Sequence, residues 1–239
     1  MAILVVEDDP DLLDILCFAL RREGHDVISA RDGDTGLEMW KTKEPLLVVL
    51  DVDLPKKSGW EVCREIRKES ETPVVMLTAA GDEADIVKGF DLGADDYITK
   101  PFSHKQLVLR IGAILRRAKQ SPDQPRKGWQ VMNAGDLRLD PQWRTVYKGD
   151  QAIRLTPMEF KLLYELVLHA GQVLPHQILT DRVWGYEGVD DTSLLKGHIR
   201  NLRRKLEVNS SSPVYIRTVA GIGYTFSCQS ESLPNAVHA

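Results

Sequence analysis

Short apolar runs separated by amphipathic stretches mark the first half of the chain. Runs at Ile3–Val6, Val27–Ala30, Leu46–Leu50 and Val74–Leu77, with a weaker one at Tyr97–Thr99, have the length and β-branched content of strands. They are apolar at consecutive rather than alternate positions, the habit of strands buried on both faces of a parallel sheet. After the first run, Leu12, Ile15, Leu16, Ala19 and Leu20 fall on one stripe of a helix, and Gly24 supplies its stop. Strand and helix alternate about five times over residues 1–118, which predicts an α/β domain with a doubly wound five-stranded parallel sheet.

The second half has a different rhythm. Asp136–Asp140, Thr145–Lys148 and Ala152–Leu155 predict short strands, the last two joined by a Gly149-Asp150 turn. Thr156-Pro157-Met158-Glu159 combines a Thr cap, a Pro in the first turn and a Glu three residues after the cap, so a helix starts there and runs through Phe160, Leu163, Leu166 and Val167 to near Gly171. A second helix is predicted from Pro175 to Trp184, and a loop at 185–188. A third starts near Asp190 or Asp191, with Leu195, Ile199, Leu202 and Leu206 forming one buried stripe. A glycine-turned hairpin follows, Tyr215–Val219 and Tyr224–Phe226 around Ala220-Gly221-Ile222-Gly223. Two helices, a third helix and a hairpin fronted by a small sheet describe a winged helix-turn-helix.

Residues 119–130, rich in polar residues and proline, read as a linker between domains at 1–118 and 131–228, and 229–239 as a flexible tail. The 239-residue chain, 43% hydrophobic and 28% charged, has the composition of a chain that folds into packed cores. Its longest apolar run is far short of the roughly 20 residues that cross a membrane, and no signal peptide precedes it, so a soluble, cytoplasmic protein without a membrane partner is expected. Cys17, Cys63 and Cys228 have no metal-ligand spacing and predict neither a zinc site nor a disulfide framework. The formal charge of −4 conceals an asymmetry: residues 1–118 hold 16 Lys and Arg against 23 Asp and Glu, and the remainder 15 against 12. An acidic half and a basic half call for different partners.

In a doubly wound sheet, function gathers at the carboxyl ends of the strands. There the sequence places Glu7 and Asp8, Asp51, Thr78 and Lys100. Three converging carboxylates repel one another unless a cation sits among them, and oxygen ligands favour a hard ion such as Mg²⁺. Lys100 and Thr78 add groups suited to phosphoryl oxygens, so the site suits transfer of a phosphoryl group to a carboxylate. Val5-Val6-Glu7-Asp8-Asp9, Leu50-Asp51 with Leu54-Pro55 and Ser58-Gly59, Leu77-Thr78-Ala79 and Gly93 through Phe102 together resemble the receiver domain of a bacterial two-component response regulator. The resemblance implies a flavodoxin-like receiver in which Asp51 is the phosphoacceptor. It implies that Glu7, Asp8, Asp51 and the backbone carbonyl of Asp53 hold Mg²⁺, that Lys100 pairs with the phosphoryl group, and that Thr78 and Tyr97 are switch residues. It also implies a cis bond before Pro101. Asp9, beside Pro10, is expected at the N-terminus of the first helix instead.

On the third helix of the second half, Lys196, Arg200, Arg203 and Arg204 share a face, with His198 and Asn201 at its margins, a pattern a DNA major groove accepts. His198-Ile199 through Glu207, with Ile216–Val219 and Gly221–Phe226, resembles the DNA-binding domain of the OmpR/PhoB subfamily. That resemblance implies activation by a cognate sensor histidine kinase, binding to double-stranded promoter DNA, contact with RNA polymerase and homodimerisation on phosphorylation. Ala220 stands where the family usually carries Arg, leaving Arg217 as the wing's basic residue, and Ser193 replaces another common Arg. Asp96 and Arg110 match one of the family's dimer ion pairs. Ile86 and Gln106 replace a charged pair and Gly112 a base, so apolar contact around Ile86 is expected to contribute to the dimer.

Two other readings compete. A phosphohydrolase with an aspartyl intermediate fits Asp51-Val52-Asp53, but no substrate-selecting cap is visible. An adaptor that binds protein through residues 185–189 does not account for the basic face at 196–204.

Overall fold

A computed structural model describes residues 2–79, 92–118, 130–185 and 192–228. Ile86, residues 119–129 of the expected linker, residues 186–188 of the expected loop, the expected helix start at Asp190 or Asp191 and the tail at 229–239 lie outside the described residues.

The first domain carries strands β1 (Ile3–Val6), β2 (Val27–Ala30), β3 (Leu47–Asp51), β4 (Val74–Ala79) and β5 (Asp96–Lys100). They pair in parallel in the order β2-β1-β3-β4-β5. The reversal of order beside β1 opens a crevice at the carboxyl ends of β1 and β3. Helix α1 (Pro10–Arg22) and helix α4 (His104–Ala118) cover one face, where Ile3, Val5, Val49 and Leu77 pack on Leu16, Leu20, Leu107 and Ile111. Helices α2 (Gly33–Lys43) and α3 (Gly59–Glu69) serve the other, where Leu4, Val6, Val48 and Met76 meet Trp40, Val62 and Ile66. Burial on both faces explains why the strands read as unbroken apolar runs.

Local chemistry sets the helix starts. Asp9 caps α1, accepting from the Asp11 and Leu12 amides, with Pro10 in the first turn, as expected. Ser58 and Glu61 form a capping box on α3. Gly24 follows α1 at φ 84, donating its N–H to Arg21 O.

The second domain begins with an antiparallel sheet of β6 (Met132–Ala134), β7 (Leu137–Asp140), β8 (Thr145–Lys148) and β9 (Gln151–Ile153). β6 was not foreseen, since three residues between polar neighbours carry no periodicity. Helix α5 (Pro157–Leu168) starts at the Thr156–Glu159 capping box. Helices α6 (His176–Trp184) and α7 (Thr192–Leu206) follow, then the hairpin β11 (Ile216–Val219) and β12 (Gly223–Phe226). An additional short strand, β10 (Val173–Pro175), pairs with β12 and makes the wing a three-stranded sheet. Among the described residues no helix is long and apolar enough to cross a membrane. All three cysteines are free thiols.

Candidate functional site

The strand ends bring the acids together. Glu7 follows β1, Asp51 closes β3, and one carboxylate oxygen from each of Glu7, Asp8 and Asp51 lies within 4.8 Å of the others. Glu7 and Asp51 are buried, while Asp8 is exposed at the mouth. Lys100, the last residue of β5, reaches across with Nζ 2.9 Å from Glu7 Oε2 and 3.0 Å from Asp51 Oδ1. The Lys100-Pro101 bond is cis, as the resemblance implied. A second Asp51 contact comes from its neighbour, the Val52 N–H donating to Oδ1 at 2.9 Å.

Burial pushes the Glu7 and Asp51 carboxyls above their usual range, more than Lys100 pulls them down, and Asp51 adds repulsion on Glu7. Burial opposes the Lys100 charge too, but its bonds to both acids hold its pKa above the ordinary value. Carboxylates crowded to this degree, all with oxygen donors and one open to water, fit a hard divalent cation, which would restore them to the charged form. Asp53, whose side chain is exposed, lies in the loop between β3 and α3.

Thr78, on β4, is buried and donates to Ala79 O at 3.3 Å. Tyr97 is buried with its ring 6.2 Å from Trp60. Next to it, Asp96 and Arg110 form an ion pair of 2.7 Å within one chain, both side chains almost fully buried. The resemblance matches this pair to one of the family's dimer contacts; within one chain Asp96 on β5 and Arg110 on α4 meet each other.

Three parts of the predicted DNA face are exposed on α7: Lys196, Arg200 and Arg204. Arg217, on β11, is exposed as well. The other predicted contacts sit elsewhere. His198 and Asn201, expected at the margin of the exposed face, are each 1% exposed. His198 donates from Nε2 to the Asp95 carbonyl of the first domain at 3.1 Å, and its ring lies 5.3 Å from Trp184. Arg203 turns toward the wing, donating to Ile216 O at 3.0 and 2.8 Å and to Thr218 Oγ1 at 2.8 Å. On a seven-residue scale, helical spacing assigns a side chain to a sector but not to a neighbour across the domain boundary, and so placed all six on one surface.

Several structural residues went unforeseen. Glu207 accepts from the backbone amides of Val214, Tyr215 and Ile216, tying the end of α7 to the wing. Lys205 pairs with the fully buried Glu159 at 2.6 Å. Arg67 pairs with the buried Asp95 at 2.7 Å, and Glu71 lies 3.7 Å from Arg154 across the domain boundary. Single charged residues of this kind carry no motif; their partners are distant in sequence.

Residues 3–112 match the response regulator receiver domain family, and residues 150–226 match the family described as transcriptional regulatory protein, C terminal. A probable transcriptional regulator ycf27 from Porphyridium aerugineum is 44% identical over 236 residues, covering 97% of this chain and 98% of its own. The alkaline phosphatase synthesis transcriptional regulatory protein PhoP of Bacillus subtilis is 42% identical, covering 93% and 95%. Among solved structures, a RitR mutant is similar with a TM-score of 0.74 at 30% identity, over 95% of this chain and 98% of that one. DrrB, described as a Thermotoga maritima OmpR/PhoB homologue, matches at 33% identity and a TM-score of 0.50, over 95% of this chain and 100% of its own. With receiver and transcriptional regulatory domains in order along one chain, and relatives this similar over nearly its whole length, the chain belongs to the OmpR/PhoB-type response regulators, phosphorylation-activated transcriptional regulators rather than enzymes.

Proposed function

We propose that Asp51 accepts the phosphoryl group of a sensor histidine kinase, and that the phosphorylated chain then binds promoter DNA through α7 and the wing. The observation that carries this is the convergence of Glu7, Asp8 and Asp51 within 4.8 Å, with Lys100 bonded to two of them. Glu7, Asp8, Asp51 and the Asp53 carbonyl would hold Mg²⁺, whose charge neutralises the oxygens that develop negative charge during transfer. Asp51 Oδ attacks the phosphorus, the bond to the kinase histidine breaks, and that imidazole leaves with the electron pair. Lys100 exchanges its Glu7 contact for a phosphoryl oxygen, and Thr78 donates its hydroxyl to another. Tyr97, one residue from the Asp96–Arg110 pair, passes the change to the face around β5.

That face is where the second domain docks. With Nε2 of His198 on the Asp95 carbonyl and Asn201 buried, part of α7 is covered, while Lys196, Arg200 and Arg204 remain exposed. Phosphorylation then shifts a population from the docked arrangement toward one in which the whole helix reaches a groove; a tenfold shift takes about 1.4 kcal/mol. Dimerisation, contact with RNA polymerase and action in the cytoplasm complete the reading, with two α7 helices on half-sites about one turn of DNA apart. Incubation with acetyl phosphate and Mg²⁺ tests it: the wild type gains a phosphoryl group and DNA affinity rises, whereas Asp51→Asn gains neither. A phosphorylated Asp51→Asn protein overturns the assignment.

A further inference from the structure

The loop between β3 and α3 contains Asp53 and is pinned from two sides. On the α3 side, a Cβ on Gly59 would stand 2.0 Å from the Asp51 carbonyl oxygen, so α3 approaches the end of β3 as closely as only glycine permits. The Gly59 N–H donates to Val52 O at 3.0 Å. On the α2 side, Gly33 donates its N–H to Pro55 O at 3.3 Å, and a Cβ there would stand 1.9 Å from the Lys57 carbonyl oxygen. The obstacle is backbone, which cannot swing aside as a side chain would.

Between these pins the loop turns sharply. The Lys57 N–H donates back to Pro55 O at 2.9 Å, and Lys56 sits at φ 66, a conformation unfavourable for a side chain larger than glycine. Lys56 Nζ lies 3.0 Å from Asp32 Oδ2. The same Asp32 carboxylate caps α2, accepting from the Thr35 N–H at 2.9 Å and the Thr35 hydroxyl at 2.9 Å. Lys57 and Asp34 make a second contact at 3.4 Å. The two ion pairs are exposed on at least one side and screened by water, so they hold little by themselves. The close approach of Gly33 and the cap that fixes the start of α2 are what locate the loop.

We infer that Gly33 and Asp32 are positioning residues for the cation site: by fixing the N-terminus of α2 against Pro55 and Lys57, they set the position of the Asp53 carbonyl. The inference rests on the proposed Mg²⁺ site. Its consequence is specific to the ion. Mg²⁺ demands near-ideal octahedral geometry, whereas Ca²⁺ accepts more ligands and looser angles. A displaced carbonyl therefore weakens Mg²⁺ more than Ca²⁺, and lost stability alone would not change that ratio.

The test is calorimetric titration of the full chain with Mg²⁺ and, separately, with Ca²⁺. Gly33→Ala is expected to weaken Mg²⁺ about tenfold, with a smaller loss for Ca²⁺. Asp32→Ala, which uncaps α2 at a partly buried position and keeps the fold, is expected to weaken Mg²⁺ about threefold, and Asp32→Asn, which can still cap, to restore wild-type binding. Unchanged Mg²⁺ affinity and an unchanged ion ratio in Asp32→Ala, or in a folded Gly33→Ala, overturn the inference. If wild-type Mg²⁺ binding is indifferent to Asp8→Asn, the proposed cation site itself fails, and that result is distinct from the first.

Discussion

Nε2 of His198, on the helix that carries the basic face, donates to the main-chain carbonyl of Asp95 in the receiver at 3.1 Å. This bond joins the two domains at a residue two positions before Tyr97.

Burial lowers the His198 pKa to about 4, with Glu159 opposing the shift and Lys205 and Arg67 adding to it. The docked form therefore binds fewer protons than a form in which the ring meets water at its ordinary value. Docking is fully favoured above that ordinary value and is lost as pH falls from it toward about 4. Between about pH 7.5 and about pH 5.5 the docked population should fall about tenfold relative to the open one. The Asp95 carboxyl, pushed up to about 6 by burial against the pull of Arg67, works in the opposite direction, so the comparison is with His198→Gln, which keeps a donor but does not titrate. Energy transfer between dyes on the two domains should show a pH response in the wild type that is absent from the variant. Identical profiles in both would remove His198 as the titrating group.

Two arginines on one helix should behave differently. Arg200 is exposed, and if it meets phosphate, Arg200→Ala should lower DNA affinity and reduce the salt dependence by about one counterion. Arg203 spends its donors on Ile216 O and Thr218 Oγ1. Arg203→Ala should cost the second domain about 1–3 kcal/mol and weaken DNA binding through a loosened wing, with the salt slope nearly unchanged. Chemical denaturation and affinity at several salt concentrations separate the two effects. Equal salt slopes for both variants would place Arg203 on the phosphate backbone as well.

The acid site was legible because its chemistry is local in sequence. Glu7, Asp51, Thr78 and Lys100 each sit at or beside the end of an apolar run, and a doubly wound sheet gathers such positions at one edge. The Thr156–Glu159 capping box could likewise be read from spacing within four residues. What escaped depends on partners far apart in the chain. His198 and Arg203 lie in the sector that helical periodicity assigns to charge, but their neighbours, Asp95 and Ile216, are set by tertiary packing. Gly33 carried a weaker signal, an Asp-Gly pair soon after an apolar run, which reads as a turn until the Lys57 carbonyl is seen against it.

Lys205 neutralises a carboxylate that is otherwise out of water. Its Nζ lies 2.6 Å from Glu159 Oε2, and the Glu159 side chain is 1% exposed against 27% for Lys205. Breaking a buried pair by removing one partner strands the other. Lys205→Met should destabilise the second domain by about 2–4 kcal/mol, whereas Glu159→Gln with Lys205→Met should recover part of that loss, because the stranded charge is gone. Thermal melts of the four proteins in this cycle give the coupling; additive losses would show that the pair is not coupled.

The cation site should trade stability for function. Asp51 and Glu7 both have carboxyls raised by burial, so the folded receiver binds more protons than the unfolded chain just above the ordinary carboxylate range. Without metal, the site's contribution to stability therefore improves as pH falls through the raised values and is least favourable at neutral pH. Asp51→Asn removes one of the two buried charges that face Lys100 and should raise receiver stability in chelator at neutral pH by about 1 kcal/mol or more. Mg²⁺ should stabilise the wild type by about 1.4 kcal/mol at ten times its dissociation constant, and Asp51→Asn by much less. Melting curves with chelator and with Mg²⁺ measure both differences. A less stable Asp51→Asn receiver in chelator would mean that Lys100, left with Glu7 alone, loses more than the carboxylates gain.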